Sequence, residues 1–197
     1  KAGTMPAQQA RLSMEHLLIP KDYKSALNLY DTQVAIKTVK DFFQNLLAEK
    51  LHLLRVSAPL FVDPESGLND NLNGVERPVS FGIKEQNDAL AEIVHSLAKW
   101  KRMALDEYGF SHGEGLYTDM SAVRRDEITD NIHSIYVDQW DWEKIISREE
   151  RCLNYLQDTV KNVYKVLRKT EKYMAIQYDY INEILPHDIF FITTQEL

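Results

Sequence analysis

The run Ser134-Ile135-Tyr136-Val137-Asp138-Gln139-Trp140-Asp141-Trp142 carries polar groups where a buried strand would hold aliphatic ones. With the period of two of a β-strand, Ile135, Val137, Gln139 and Asp141 share one face, and Tyr136, Asp138, Trp140 and Trp142 share the other. An amide and a carboxylate side by side among aliphatic neighbours can receive a ligand bearing an amino group, because buried polar groups need partners. The same pair can equally be solvated on an exposed sheet face. A second cluster is Arg124-Arg125-Asp126-Glu127, followed by His133. Arginine grips phosphate or carboxylate bidentately, although alternating charges at a strand end are also what a solvated turn carries. The third, Leu68-Asn69-Asp70-Asn71-Leu72-Asn73-Gly74, is by itself an Asx-rich turn. In the fourth, His95-Ser96-Leu97-Ala98-Lys99-Trp100-Lys101-Arg102, Ser96 is suited to cap a helix whose N-terminus could hold an anion. Lys99 and Arg102 share a face of that helix and Lys101 lies on another.

Other chemistries lack their residues. No Walker-type loop or G-x-G-x-x-G occurs, since Gly113-Glu114-Gly115 lacks the third glycine and precedes a strand pattern. There is no H-E-x-x-H, and the 6 histidines are scattered, which argues against a dedicated transition-metal site. Cys152, the single cysteine, falls in a helical pattern beside Arg151 and reads as a small core or half-buried side chain.

The elements that must position these groups follow from periodicity. Val34, Ala35, Val39, Phe42, Phe43, Leu46 and Leu47 form one apolar stripe and predict a helix over 31–51, with Asp31 or Thr32 as N-cap. A β-type run over 53–62 is interrupted by Pro59, which cannot donate to a sheet ladder. Segment 63–74 is a loop, 79–83 and 91–94 are short strands around a polar turn, and 97–108 is a short helix. Strands follow at 116–123 and 134–142. A long helix is expected over 148–178, with Leu153, Leu156, Val160, Val163, Leu167 and Met174 on one side. Residues 189–194 read as a last strand. Strands joined by short turns with helices beside them make the fold class α+β, with a mainly antiparallel sheet flanked by helices.

Composition fits a soluble globular protein, with 44% apolar and 27% charged residues. No apolar run approaches the roughly 18 residues that span a bilayer, and 1–13 has no apolar signal core. Residues 1–15 read as a disordered leader or tag, with Met5 and Met14 as possible starts. One cysteine excludes an intramolecular disulfide and points to a reducing, cytoplasmic setting. The net charge of −7 argues against a duplex-binding module, yet leaves room for a local basic pocket.

Taken in order, HSLAKWKR at 95–102, EGLYT at 114–118, Arg124-Arg125-Asp126-Glu127, and VDQWDWE at 137–143 resemble the ammonia-dependent asparagine synthetases. The resemblance runs from about His16 to Leu197. It implies a catalytic core similar to class II aminoacyl-tRNA synthetases, with 31–59 as the first, dimer-building motif and 124–141 as the second, ATP-holding one. The third motif would follow Leu197, so the resemblance makes 16–197 the N-terminal part of a single catalytic domain whose C-terminal part is missing.

The implied reaction joins L-aspartate and ammonia to L-asparagine through β-aspartyl adenylate, using ATP with Mg²⁺ and releasing AMP and pyrophosphate. By the same resemblance Arg124 binds the α-phosphate and the substrate carboxylate, His133 the outer phosphates, and Val137 the adenine. Gln139 and Asp141 hold the aspartate, Lys101 and Ser96 contact it, Asp70 receives ammonia, and Glu127 shares in holding Mg²⁺. A homodimer is implied, with no nucleic acid or membrane partner. Two other classes compete: an aspartyl- or asparaginyl-tRNA synthetase-like paralogue, and a catalytically inactive dimerising scaffold.

Overall fold

The computed structural model describes residues 16–197, so the leader expected over 1–15 lies outside the described residues. Among them are three α-helices, α1 (Leu29–Leu51), α2 (Ala98–Glu107) and α3 (Leu153–Gln177). Six strands accompany them: β1 (Leu53–Arg55), β2 (Phe61–Val62), β3 (Ser80–Ile83), β4 (Ala89–Ile93), β5 (Gly115–Val123) and β6 (Tyr136–Lys144). The strands form two three-stranded sheets, ordered β1-β5-β6 and β2-β4-β3, and the α+β class stands. The contacts divide the chain into two units, one holding Arg55–Gly109 and Leu116–Glu143 and the other Lys24–Leu54, Phe110–Gly115 and Lys144–Leu197.

In the first unit, β3 and β4 pair antiparallel with Ser80 opposite Glu92 and Ile83 opposite Ala89. Their connection passes through Asn87 and Asp88, both at positive φ, which short polar side chains tolerate better than others. Pro59 lies in the break expected of it. The residues on either side, β1 and β2, join different sheets.

The longer ribbon is β5 with β6. Arg124 N donates to Ile135 O (2.8 Å) at one end, and Ile145 N donates to Glu114 O (2.9 Å) at the other. Both bonds obey a single antiparallel register, which sets Thr118 opposite Asp141, Met120 opposite Gln139 and Ala122 opposite Val137. On the other side of β5, Gly115 N donates to His52 O (3.0 Å) and Val56 N to Tyr117 O (2.9 Å), the stepped pattern of a parallel pair. This sheet is therefore mixed, with one parallel and one antiparallel pairing, and across the two sheets three of the four pairings are antiparallel. The core of this unit takes Leu97 at the start of α2, Trp100, Ala104 and Leu105 within it, and Leu116, Met120 and Ala122 from β5, all buried. Each fully buried leucine contributes roughly 2 kcal/mol of transfer free energy.

In the second unit, α1 packs against α3, and Phe42 stacks on Tyr173 with ring centroids 4.0 Å apart. Several expectations are corrected here. The cap of α1 is Asn28, whose side chain accepts from Asp31 N (2.9 Å), rather than Asp31 or Thr32. The long helix begins at Leu153, after a separate turn over 147–150 that Ser147 and Glu150 close by reciprocal side-chain bonds of the capping-box kind. Cys152 is accordingly an exposed N-cap residue with extended backbone, not a half-buried helical one. The buried side chains of α3 are Val166, Thr170 and Met174, while Leu153, Leu156, Val160 and Leu167 of the expected stripe are exposed. Residues 189–194 form no strand. The preceding stretch is held to α3 by side chains instead: Tyr164 donates to Pro186 O (2.6 Å) and Glu171 accepts from Ile184 N (2.7 Å) and Leu185 N (2.9 Å). A strand needs a neighbouring ladder, and the β-branched and aromatic residues of 189–194 do not supply one by themselves. No helix among the described residues is long and apolar enough to cross a membrane.

Candidate active site

Alternation along β5 and β6, combined with their register, brings Thr118, Arg124, Val137, Gln139 and Asp141 to one face of the sheet. The other face carries aromatic, hydroxyl and ionic pairs. Tyr117 stacks with Trp140 at 4.6 Å, Ser121 Oγ meets the Tyr136 hydroxyl at 3.0 Å, and Arg55 Nη2 reaches Asp119 at 2.8 Å.

The first face is built around an ion pair. Lys101, one turn into α2, is fully buried, and its Nζ lies 2.5 Å from Asp141 Oδ2. Gln139 Nε2 approaches the same oxygen at 3.4 Å, and Trp142 N donates to Oδ1 at 2.8 Å. The two side chains expected on a common face are thus neighbours, and the lysine beside them is the least accessible charged group of the unit. A lysine is almost never fully buried unless paired, so this contact is what lets Lys101 occupy a core position.

Four polar atoms nearby in the fold are buried without a hydrogen-bond partner: His95 Nε2, Thr118 Oγ1, Arg124 Nε and Gln139 Oε1. Each buried orphan costs on the order of 1–3 kcal/mol, and three of the four lie on the one sheet face. His95 is brought alongside by the neighbouring Val94, whose carbonyl accepts from Val123 N (3.3 Å). His95 and Thr118 received no role from the sequence. Their signal was position alone: His95 lies in the short connection between β4 and α2, and Thr118 of β5 shares the parity of Arg124 just beyond that strand.

The Asx loop closes on the start of α2. Asn69 Oδ1 accepts from His95 N (2.8 Å), and Asp70 N donates to Ser96 O (3.3 Å). The Asp70 carboxylate accepts from Ala98 N (2.5 Å) and Lys99 N (3.4 Å), while Lys99 Nζ donates to Gly67 O and Asn69 O (2.7 and 2.9 Å). This corrects the capping assignment. The helix boundary residue is Leu97, with no side-chain cap of its own. Asp70 supplies the anionic cap from 28 residues away, leaving Ser96 half-buried in the approach to the helix. A carboxylate there satisfies orphan N–H groups and faces the positive end of the helix dipole.

The β5–β6 connection holds the remaining charges. Arg124 is half-buried, whereas Arg125 is exposed and donates to Pro78 O (3.4 Å). Glu127 N donates to Arg124 O (3.1 Å). His133 Nδ1 sits 2.8 Å from Asp130 Oδ2. That hydrogen bond, then the Asp130 charge, raises the pKa of His133; Glu127 adds to the effect and Arg124 opposes it. The four groups therefore share one field. Asp126 is taken up by Arg77, which donates from N (2.8 Å), Nε (3.0 Å) and Nη2 (2.5 Å) and holds its carboxyl well below the usual range. Among the described residues, no three His, Cys, Asp or Glu side chains gather as a metal site.

Known proteins resemble the chain closely. The family model described as Aspartate-ammonia ligase matches residues 30–197. Curated proteins named aspartate–ammonia ligase are similar: that of Clostridium perfringens strain SM101 is 62% identical over 184 residues, covering 93% of this chain and 55% of its own length. The Clostridium tetani protein is 60% identical over 183 residues, covering 93% and 54%. The Bacillus cytotoxicus protein is 57% identical over 175 residues, covering 89% and 53%. The chain thus spans about half the length of the curated relatives it matches. With the family model reaching from α1 to the final residue, and so across the loop, helix and ribbon that carry the site, the chain belongs to the aspartate–ammonia ligase family.

Proposed function

We propose that the protein is an ATP-dependent ligase that converts L-aspartate and ammonia to L-asparagine through β-aspartyl adenylate, releasing pyrophosphate and then AMP. The observation that carries this reading is the sheet face on which Gln139 and Asp141 stand against buried Lys101, with Gln139 Oε1, Thr118 Oγ1 and Arg124 Nε unpartnered. That face offers both donors and acceptors, which suits a zwitterionic amino acid better than a purely apolar or purely anionic ligand.

In this reading Asp141 accepts from the substrate ammonium group. Its two oxygens are engaged by Lys101, Gln139 and Trp142 N, but a carboxylate has about four acceptor positions and retains capacity. Gln139 orients the amino acid, and Lys101 and Ser96 contact it. Arg124 binds the α-phosphate and the β-carboxylate, neutralising charge as a carboxylate oxygen bonds to the α-phosphorus and pyrophosphate departs. His133, with its raised pKa, is cationic over a wider pH range and meets the outer phosphates. Val137 packs on the adenine. Ammonia then bonds to the activated carbonyl carbon, AMP leaves, and Asp70 orients the incoming ammonium or takes its proton. Adenylation is needed because a free carboxylate is a poor electrophile; the protein's part is mostly positioning.

Mg²⁺ belongs to the same proposal. A magnesium ion on a nucleotide usually keeps several waters and needs only one or two carboxylates beyond the phosphates, so Glu127 next to Arg124 fits as one contributor. A class II synthetase-like core, a homodimer and a cytoplasmic location complete the reading.

The test is AMP formation dependent on both aspartate and ammonium, run with and without tRNA. No AMP in the presence of ammonium overturns the ligase; AMP formation that requires tRNA makes the protein a synthetase-like paralogue. Within the ligase reading, Asp141→Asn raises the KM for aspartate by at least tenfold and that for ATP much less. An unchanged aspartate KM removes Asp141 from its assigned role.

A further inference from the structure

Outside the candidate site, the second unit holds a charged groove of about 810 Å³ between the end of α1, one face of α3 and residues 183–189. We propose that this groove binds a small phosphorylated molecule with an apolar end, of the nucleotide class, separately from the candidate active site. The inference does not rest on the ligase reading.

The helix supplies the first argument. Lys161, Lys165, Arg168, Lys169 and Lys172 recur along α3 at spacings that keep them on one side, and all of them line the groove. Lys161 with Lys165, Lys165 with Lys169, and Arg168 with Lys172 are like charges at i,i+4, an arrangement that destabilises a helix. Internal partners relieve little of it. Lys161 Nζ is 3.6 Å from Asp158, and Arg168 Nη1 donates to His187 O at 3.1 Å. Lys165, Lys169 and Lys172 have no ion pair among the described residues. With Lys50, six cationic side chains face three carboxylates in the groove, on a chain whose net charge is −7. A concave site of one sign concentrates counter-ions of the other.

The second argument is that the groove is a built structure. Its outer wall, 183–189, is fixed to α3 by Tyr164, Arg168 and Glu171 through hydrogen bonds of 2.6 to 3.1 Å. Leu46, buried Val166 and Ile189 also line it. Its volume lies within the roughly 300–1,000 Å³ typical of small-molecule sites. Apolar side chains amid lysine ammonium groups suit a planar or aliphatic group carrying phosphate, since lysine binds phosphate as a point charge.

The experiment is calorimetric titration of the protein with ADP and, separately, with inorganic pyrophosphate, alongside the double variant Lys165→Glu/Lys169→Glu. Both lysines are exposed, and circular dichroism confirms that the variant folds. The expected result is loss of one ADP equivalent of binding in the double variant, at least a tenfold weakening at that site, and retention of that equivalent in Arg124→Ala. Pyrophosphate binds the same site more weakly than ADP. ADP stoichiometry unchanged by the double charge reversal overturns the proposal. So does complete loss of ADP binding in a folded Arg124→Ala protein, or binding of a short oligonucleotide without any binding of ADP. Failure of the ligase assay leaves these titrations standing, and the converse also holds.

Discussion

Asp141 at one end of the β5–β6 ribbon holds a lysine that solvent does not reach, whereas at the other end Asp126 and Asp130 pair with Arg77 and His133 in the open. The bonds are of similar length, yet the consequences of breaking them differ. In the buried pair the alternative to the contact is an unsolvated ammonium group, so the partner cannot be removed cheaply. In the exposed pairs the alternative is hydration, which returns most of what the contact gave. Distance alone therefore does not rank these interactions. Burial does.

The sharpest way to break that contrast is Asp141→Ala, which leaves Lys101 charged and buried. The expected loss is about 3 kcal/mol, at the lower end for a broken buried pair because Asp141 is itself partly exposed. Chemical denaturation reads this directly, and a change indistinguishable from that of Arg77→Ala would end the comparison. Asp70→Ala comes next, removing the cap on α2; a loss of about 1 kcal/mol is expected. Asp70→Asn, which keeps an acceptor, should recover most of it.

The smallest effects belong to the open end. Arg77→Ala should shift the denaturation midpoint little, and still less in high salt, where surface pairs are screened. Because folding lowers the Asp126 pKa, its contribution is present above the ordinary carboxylate pKa and is lost as pH falls through the lowered value. His133 works in the opposite sense. Its folded pKa is raised, so its contribution is fully present below the ordinary value of 6.5 and is lost as pH rises through the raised one. An NMR titration of the His133 ring in Asp130→Asn should show its pKa moving down. No movement would mean that Asp130 does not govern it.

Periodicity made the ribbon legible. The parity of Gln139 and Asp141 in the sequence places them on a common face, and the 3.4 Å approach of their side chains follows from it. The helix at 98–107 was equally readable from Leu97, Trp100, Ala104 and Leu105. Capping of that helix was not. Ser96 has the right residue type and the right local position, but Asp70 reaches the same N–H groups from a distant loop, and a charged acceptor displaces a neutral one. The strand expected at 189–194 failed for a related reason: β-branched and aromatic residues favour a strand, but only pairing with a neighbouring edge makes one.

The sequence by itself determined which residues alternate, where Pro59 breaks a strand and that four polar clusters recur in the order of a ligase family. These are properties of neighbours along the chain, set by the periods of 2 and 3.6 and by backbone sterics. Only the tertiary structure decided that Lys101 is buried and paired, that His95, Thr118, Arg124 and Gln139 keep buried atoms without a hydrogen-bond partner, and that the lysines of α3 face a walled groove. Burial and long-range pairing depend on what covers a residue. That is fixed by segments far away in sequence, whose meeting no local pattern encodes.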